Sequence, residues 1–181
     1  MSNEEKIIEE LVKNSLYRMD ESTRMIRKCL DQISEEELWL KPNDSLNSIG
    51  NLILHLSGNI TQYVIASLGE TEDNRNRDLE FSKQGGLTKS EVLKKLTDTV
   101  DLAKRVIFDA KLNQFLRIRS VQGFTFSGIG VIIHAVEHYS YHTGQIAFWV
   151  KQLKNKDLGF YDEMDLNIKG SLAPKRGNIN F

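Results

Sequence analysis

Three of the four histidines in this 181-residue chain lie within one apolar stretch, at His134, His138 and His142. A helix advances about 100° per residue, so residues four apart lie on one face and the three imidazoles form a stripe. Paired histidines at this spacing are a common way for a helix to hold a divalent metal. The two outer histidines are separated by roughly 12 Å of helix rise, which is too far for one ion. The spacing therefore leaves two candidate ligand pairs, 134/138 and 138/142.

The fourth histidine lies on a polar stripe of another helix, predicted over residues 45–68. No charged residue occurs in that segment, whereas the exposed face of a soluble helix usually carries charged side chains. We interpret the stripe as the lining of a cavity. The alternative is a buried seam of hydrogen bonds between helices. The stripe consists of Ser48, Asn51, His55, Asn59 and Gln62.

Apolar residues that recur at intervals of three and four predict four long helices, which must position these histidines. A capping box formed by Thr88 and Glu91 opens the third helix, and Gly69 is predicted to cap the end of the second. Residues 70–86 are polar and form a long crossover, whereas residues 115–126 are predicted to form a small hairpin or an extended link. The predicted helices cover residues 3–33, 45–68, 88–110 and 126–153.

This pattern predicts an all-α protein, an antiparallel four-helix bundle with a long crossover between helices two and three. Bundles build metal sites in their core from facing helices, so His55 can meet two histidines of the last helix. We expect one domain over residues 1–166, followed by a polar tail over residues 167–181. The tail has little hydrophobic content, so it would be ordered only against the domain or a partner chain.

Charge and composition exclude several functional classes. The net charge is −1 with acids and bases mixed along the chain, so no nucleic acid is expected as a partner. No apolar run is long enough to cross a membrane, and the charged N-terminal segment does not resemble a signal peptide. The single cysteine, Cys29, cannot form an internal disulfide. We predict that it is a small core residue of a cytoplasmic protein.

Several motifs resemble the DinB-like superfamily of metal-binding four-helix bundles, and its DUF1572 branch in particular. The resemblance covers about residues 5–153, and its most specific part is the histidine motif that ends in Gly144 and Gln145. The motifs are IGNL at 49–52, HLSGN at 55–59, RDLEF at 77–81, GLT at 86–88, and His138 with HTGQ at 142–145.

The resemblance implies that His55, His138 and His142 bind a divalent transition metal, with water completing the site. Three imidazoles and water suit several metals, of which zinc and nickel are the first candidates. Relatives use such a site for transfer of a low-molecular-weight thiol or for thiol-dependent isomerisation, so a thiol cofactor and a small-molecule substrate are expected. His134 would then support a ligand or line the pocket. The residues assigned to the substrate pocket are Asn51, Asn59 and Gln145, and a homodimer is expected.

Three other interpretations compete with this one. His134 and His138 enclose Glu137 in an H-x-x-E-H sequence, the inverted zincin signature, in which the glutamate would be the general base of a peptidase. The bundle would otherwise be a non-catalytic dimer that holds a structural metal or senses a ligand. A di-iron site needs a glutamate three residues before its histidines, and none precedes His55, His138 or His142 in that way.

Overall fold

The computed structural model describes residues 2–169, so the predicted tail lies outside the described residues from position 170 onward. Four long helices form the predicted bundle, and shorter elements connect them. The second long helix continues beyond its α-helical part as a π-helix, Thr61–Leu68. The other elements are α1 (Asn3–Leu30), α2 (Glu35–Trp39), α3 (Ile49–Ile60), α4 (Arg77–Ser82), α5 (Lys89–Asp109), α6 (Leu112–Leu116), β1 (Arg119–Val121), β2 (Phe124–Phe126) and α7 (Gly128–Lys154).

The first turn of α3 is fixed by a capping box. Ser48 Oγ accepts a hydrogen bond from the backbone N–H of Asn51, and Asn51 Oδ1 accepts one from Ser48 N. This arrangement satisfies two backbone donors that a helix start leaves unpaired. The helix therefore begins at Ile49, and the predicted start at residue 45 is wrong because the capping hydroxyl belongs to residue 48.

The second long helix ends at Gly69, which is its C-cap as predicted. Gly69 has a φ of −77°, and the left-handed residue is Glu70, with a φ of 57°. A side chain at position 69 is excluded because a Cβ there would clash with the carbonyl oxygen of Ile65. The capping box predicted at Thr88 and Glu91 does open α5.

The helices form a closed ring in which α1 and α3 each pack on both α5 and α7. Ring contacts show the relative direction of α7 and of α3 with its π-helical continuation. His55 faces His138, whereas Tyr63, further along the same helix, faces His134. As the chain advances along α3 it meets earlier residues of α7, so these two helices are antiparallel. The predicted four-helix bundle is confirmed.

The helices α3 and α5 run parallel. Near the start of α3, Gly50 touches Trp39, whose indole N–H donates to the carbonyl of Leu87 just before α5. At the other end, Gly69 lies against Val106. A parallel pair needs a connection that returns along the whole helix, which explains the long crossover. The crossover carries the short helix α4, which the sequence did not predict.

Residues 119–126 form the hairpin that was one of two predicted possibilities. Arg119 pairs with Phe126 in antiparallel register, and the two-residue loop of Gln122 and Gly123 has φ of 52° and 81°. Two positive φ values are typical of the tight loops that match strand twist. The preceding short helix α6 was not predicted.

The bundle interior is apolar and contains Cys29, which is fully buried. Burial raises the pKa of its thiol to about 12, against a weaker effect of Lys151. A thiol in this state is not nucleophilic near neutral pH, so the prediction of a core cysteine is confirmed. Within residues 2–169, none of the helices combines the length and the apolar character needed to span a membrane.

Candidate metal centre

Three imidazoles converge between α3 and α7, one from His55 and two from His138 and His142. One ring nitrogen of each lies within 4.8 Å of those of the other two. The Nε2 atoms of His55 and His138 are 2.9 Å apart, and the three ring centroids are separated by 4.5 to 5.0 Å. Among the described residues, no carboxylate or thiolate joins this group. The structure therefore brings together the three residues predicted as ligands, which we call the histidine trio.

His55 is held from behind by an acid of the crossover. Its Nδ1 lies 2.9 Å from Glu80 Oε2, and the residue is only 6% exposed. Arg75 binds the same carboxylate twice, from Nε to Oε1 at 2.7 Å and from Nη2 to Oε2 at 2.8 Å. Nη2 also lies 3.1 Å from His55 Nδ1, but Nη2 already donates to the carboxylate, and the same carboxylate accepts the hydrogen bond from His55 Nδ1–H. The lone pair on Nε2 of His55 therefore faces the other two histidines.

Glu80 is ionised although it is buried. Burial opposes ionisation, but the hydrogen bonds from Arg75 and His55 outweigh burial and hold the pKa of this carboxyl below its usual range. Arg75, whose side chain is 3% exposed, also donates from Nη1 to Gln62. Gln62 in turn donates to Asp73. The buried ion pair thus has the additional hydrogen bonds that make such a pair tolerable away from water.

A glycine of α3 makes room for this acid. Gly58 lies one turn after His55, and a Cβ built there would overlap Glu80 Oε1 and would lie 2.9 Å from Arg75 Nε. Any side chain at this position would push the crossover away from α3. Gly58 therefore permits the close approach that places a carboxylate against His55.

Among the described residues, His142 has one hydrogen-bond partner, and that partner is exposed. Its Nδ1 lies 2.7 Å from Gln145 Oε1, so the Nδ1–H donates to that oxygen. This bond leaves the lone pair on Nε2, as the bond to Glu80 does for His55. Gln145 is exposed, and the prediction that it lines a substrate pocket stays a prediction.

Burial favours the neutral form of two imidazoles of the trio, His138 and His142. Desolvation, followed by the neighbouring His142 and His55, lowers the pKa of His138 to about 3. Burial also lowers the pKa of His142, although its hydrogen bond with Gln145 opposes the change. The neutral imidazole is the form that binds a metal ion, because a protonated ring has no free lone pair.

His134 lies outside the trio. It stacks on Tyr63 with ring centroids 4.1 Å apart and on His138 at 5.5 Å. Its Nε2 is buried and has no hydrogen-bond partner among the described residues. Glu137 is exposed on the α1 side of α7, whereas the trio faces α3. The inverted zincin interpretation needs His134 and Glu137 beside the ion, and this arrangement does not provide it.

The first part of the polar stripe on α3 docks the crossover. Asn51 is fully buried, and its amide donates to the backbone carbonyls of Glu80 and Lys83 while Oδ1 accepts from Ser48. The prediction that Asn51 lines the pocket is therefore wrong, because its hydrogen bonds hold the crossover against α3. This part of the stripe is therefore a buried seam of hydrogen bonds, which was the alternative to a cavity lining. Asn59 is also buried, and its Oδ1 has no partner among the described residues.

Residues 6–161 match the family described as "Protein of unknown function (DUF1572)". The chain belongs to the DUF1572 family. No curated protein matches it.

The fold of this DUF1572 protein is similar to that of several solved structures. A conserved protein from Enterococcus faecalis is 16% identical with a TM-score of 0.67, and the match covers 78% of this chain and 96% of that one. A DinB-like protein from Bacillus subtilis is 13% identical with a TM-score of 0.60, covering 79% and 93%. YfiT from Bacillus subtilis is 13% identical with a TM-score of 0.65, covering 85% and 90%. YfiT is described as a probable metal-dependent hydrolase with an unusual four-helix bundle topology.

The donor set of this DUF1572 protein fits a divalent transition metal. Its three imidazoles come from facing helices, and two of them donate their outer N–H to an oxygen, which is the usual arrangement around a metal-binding histidine. Sequence reasoning missed the roles of Arg75, Glu80 and Gly58, although Glu80 stands in the quoted RDLEF motif. The uncharged stripe on α3 was the available signal, because a buried His55 needs a partner and the crossover is rich in charges.

Proposed function

We propose that His55, His138 and His142 bind one divalent transition metal, zinc or nickel, and that the protein is a metal-dependent enzyme. The observation that carries this proposal is the convergence of three imidazoles on one point between α3 and α7. Three histidines without a fourth protein ligand among the described residues are typical of catalytic rather than structural zinc sites. The description of the similar YfiT supports the same class.

A divalent metal in this position supplies a Lewis acid that lowers the pKa of a water or thiol ligand toward neutrality. The chain itself supplies orientation and a low-dielectric wall. Glu80 keeps the proton of His55 on Nδ1, and Gln145 does the same for His142. The half-buried His142 side leaves an approach for a small-molecule substrate.

The nucleophile that we propose is a low-molecular-weight thiol, used in an S-transferase or a thiol-dependent isomerase. The resemblance to DinB-like enzymes of this kind favours the thiol, whereas the description of YfiT as a probable hydrolase favours water. On the basis of the sequence we also propose that the protein is a cytoplasmic homodimer that does not bind nucleic acid.

Elemental analysis of the purified protein tests the metal. We expect about one transition metal per chain in the native protein, and loss of the metal in His55→Ala and His138→Ala. His134→Ala is the matched control, because its imidazole lies on the same helix but outside the trio, and this variant should keep its metal. A folded native chain that cannot be loaded with zinc, nickel or cobalt would overturn the proposal.

Absorption spectra of the cobalt-loaded protein separate thiol from water. Cysteine added to the loaded native chain should produce a new near-ultraviolet band if a sulfur ligand enters the site. An unchanged spectrum together with hydrolytic activity would show that the nucleophile is water and not a thiol. A loaded protein that accepts neither ligand would support the non-catalytic bundle.

A further inference from the structure

A groove of about 640 Å³ adjoins the histidine trio at His142. It lies between α7 and residues 42–52, which lead into α3 and form its first turn. Gln145, which binds His142 Nδ1, also lines it. A molecule in this groove can therefore reach one of the proposed metal ligands. Its apolar walls come from Leu46, Leu52, Tyr141, Phe148 and Trp149.

Gly144 is the feature of this groove that packing does not explain. It lies in the interior of α7, where glycine costs about 1 kcal/mol relative to alanine. It is not among the glycines with positive φ, and no described atom lies within 4 Å of a Cβ built there. The contrast is with Gly58, where a Cβ would overlap a neighbouring side chain. Neither backbone nor neighbours require glycine at 144, and what its missing side chain provides is open space beside His142.

The walls of the groove expose large apolar side chains to solvent. Leu46, Tyr141 and Phe148 are 50%, 61% and 65% exposed. Clustered exposure of this kind marks binding surfaces on soluble proteins. Among the described residues that line the groove, none is charged. Its polar groups are amides, the imidazole of His142, the hydroxyl of Tyr141 and the indole N–H of Trp149.

Other cavities along α3 differ in this respect. One is lined by Glu70, Asp73, Arg117 and Arg119. Another is lined by Glu72, Arg75, Glu80 and Lys83. A charged ligand would find partners in those cavities, whereas the groove beside His142 offers burial of apolar surface and a few hydrogen bonds from amides.

We propose that this groove is the specificity subsite of the enzyme and binds the uncharged aromatic or branched aliphatic part of its substrate. The inference rests on the proposed function, since it assigns the groove to the substrate of the same metal centre. When its apolar part lies against Tyr141 and Phe148, the substrate has its reacting atom on the His142 side of the histidine trio. Filling the groove also removes water from that side of the site.

Binding of prodan, a neutral naphthyl ketone whose fluorescence shifts in apolar surroundings, tests the subsite without an assay of activity. We expect saturable binding to the native chain. Gly144→Leu should raise the prodan Kd by about tenfold or more, because its side chain occupies the groove. Ser140→Leu is the matched control, since it adds the same side chain to α7 one turn away and outside the groove, and its Kd should equal that of the native chain.

Two metals locate the probe relative to the trio. Cobalt quenches a nearby fluorophore and zinc does not, so bound prodan should be dimmer in the cobalt-loaded than in the zinc-loaded native protein. Equal brightness in the two forms, or equal affinity of the native chain and Gly144→Leu, would overturn the subsite. Metal content of the native chain keeps the two proposals apart, because a native chain that holds its metal but does not bind prodan contradicts only the groove. Prodan binding to a chain that cannot hold metal contradicts only the proposed function.

A second copy of the chain is the competing occupant of this face. Sedimentation velocity of the native chain and Gly144→Leu separates the two cases. If the groove is a dimer contact, the native chain will be a dimer that excludes prodan and the variant will dissociate, which overturns the proposal. If it is a substrate subsite, the two chains will have the same sedimentation coefficient.

Discussion

The two sides of the histidine trio are built differently. On the α3 side, His55 is 6% exposed and is bonded to a buried carboxylate that a buried arginine holds. On the α7 side, His142 is half-buried and bonded to one exposed amide, next to an open groove. The first side has the rigidity that holds an ion, and the second has the access that a substrate needs. In this site α3 thus provides the rigid side and α7 provides the accessible side.

The two glycines repeat this difference. Gly58 is required because the crossover approaches α3 so closely that a Cβ would overlap Glu80. Gly144 has open space where its side chain would be. Gly58 allows the crossover to pack against α3, and Gly144 leaves room for the proposed substrate.

The largest effect is expected when the acid behind His55 is removed. Glu80→Ala leaves the Arg75 charge buried without its partner, which should lower the free energy of unfolding by about 3 kcal/mol. Metal affinity should fall by about 10- to 100-fold, because His55 loses the bond that orients it. Chemical denaturation and a competitive metal titration measure the two changes.

Glu137→Ala is the control for this experiment, because it removes an exposed glutamate from α7 without touching the trio. Its stability and metal affinity should remain those of the native chain. Equal metal affinities for Glu80→Ala and Glu137→Ala would show that the α3 side does not hold the ion.

The matched pair Gly58→Ala and Gly144→Ala should differ in metal affinity, which falls in the first variant and is unchanged in the second. Gly58→Ala pushes Glu80 away and should lower metal affinity by about tenfold despite its better helix propensity. Gly144→Ala meets no neighbour and should stabilise the protein by up to about 1 kcal/mol with unchanged metal affinity. Thermal unfolding and metal titration of both variants test the pair, and equal changes in metal affinity in the two would contradict the comparison.

The metal-free protein should lose stability in acid. In the folded state His138 has a pKa of about 3, whereas an unfolded histidine titrates near 6.5. The unfolded chain therefore binds more protons between these values, and stability falls as the pH decreases through this window. Above about pH 6.5 the effect is absent. With an allowance for solvent screening we expect a loss of about 1 kcal/mol between pH 7 and pH 5.

Denaturation of the metal-free protein at the two pH values measures this loss, and His138→Gln supplies the reference. The variant has no imidazole to protonate at this position, so its stability should depend less on pH. An identical pH dependence in the two chains would contradict the burial of a neutral imidazole.

The smallest effect is expected on the open side. Gln145→Ala removes the only described side chain that bonds His142, but water reaches this exposed position and can replace the amide. Metal affinity should fall only a few-fold, well short of the change in Glu80→Ala. A loss as large as that of Glu80→Ala would show that the two sides hold the ion equally.

The long helices, the crossover and the trio were predictable because each follows from local spacing or from a quoted motif. Apolar periodicity located the four helices, and the match of His55, His138 and His142 to a known family selected among pairs that spacing left open. The partner of His55 was not predictable in this way. Glu80 reaches His55 only because Gly58 admits the crossover and Asn51 binds its backbone, and these contacts depend on how the chain returns along the parallel pair of α3 and α5.

Metal-edge X-ray absorption of the loaded protein tests the central claim most directly. Three imidazole nitrogens from His55, His138 and His142 should surround the ion, together with an oxygen ligand from water. The spectrum of His55→Ala should lose the three-imidazole pattern, while that of His134→Ala should keep it. An ion surrounded by fewer than three imidazoles in the native chain, or the same spectrum in the native chain and His55→Ala, would contradict the account.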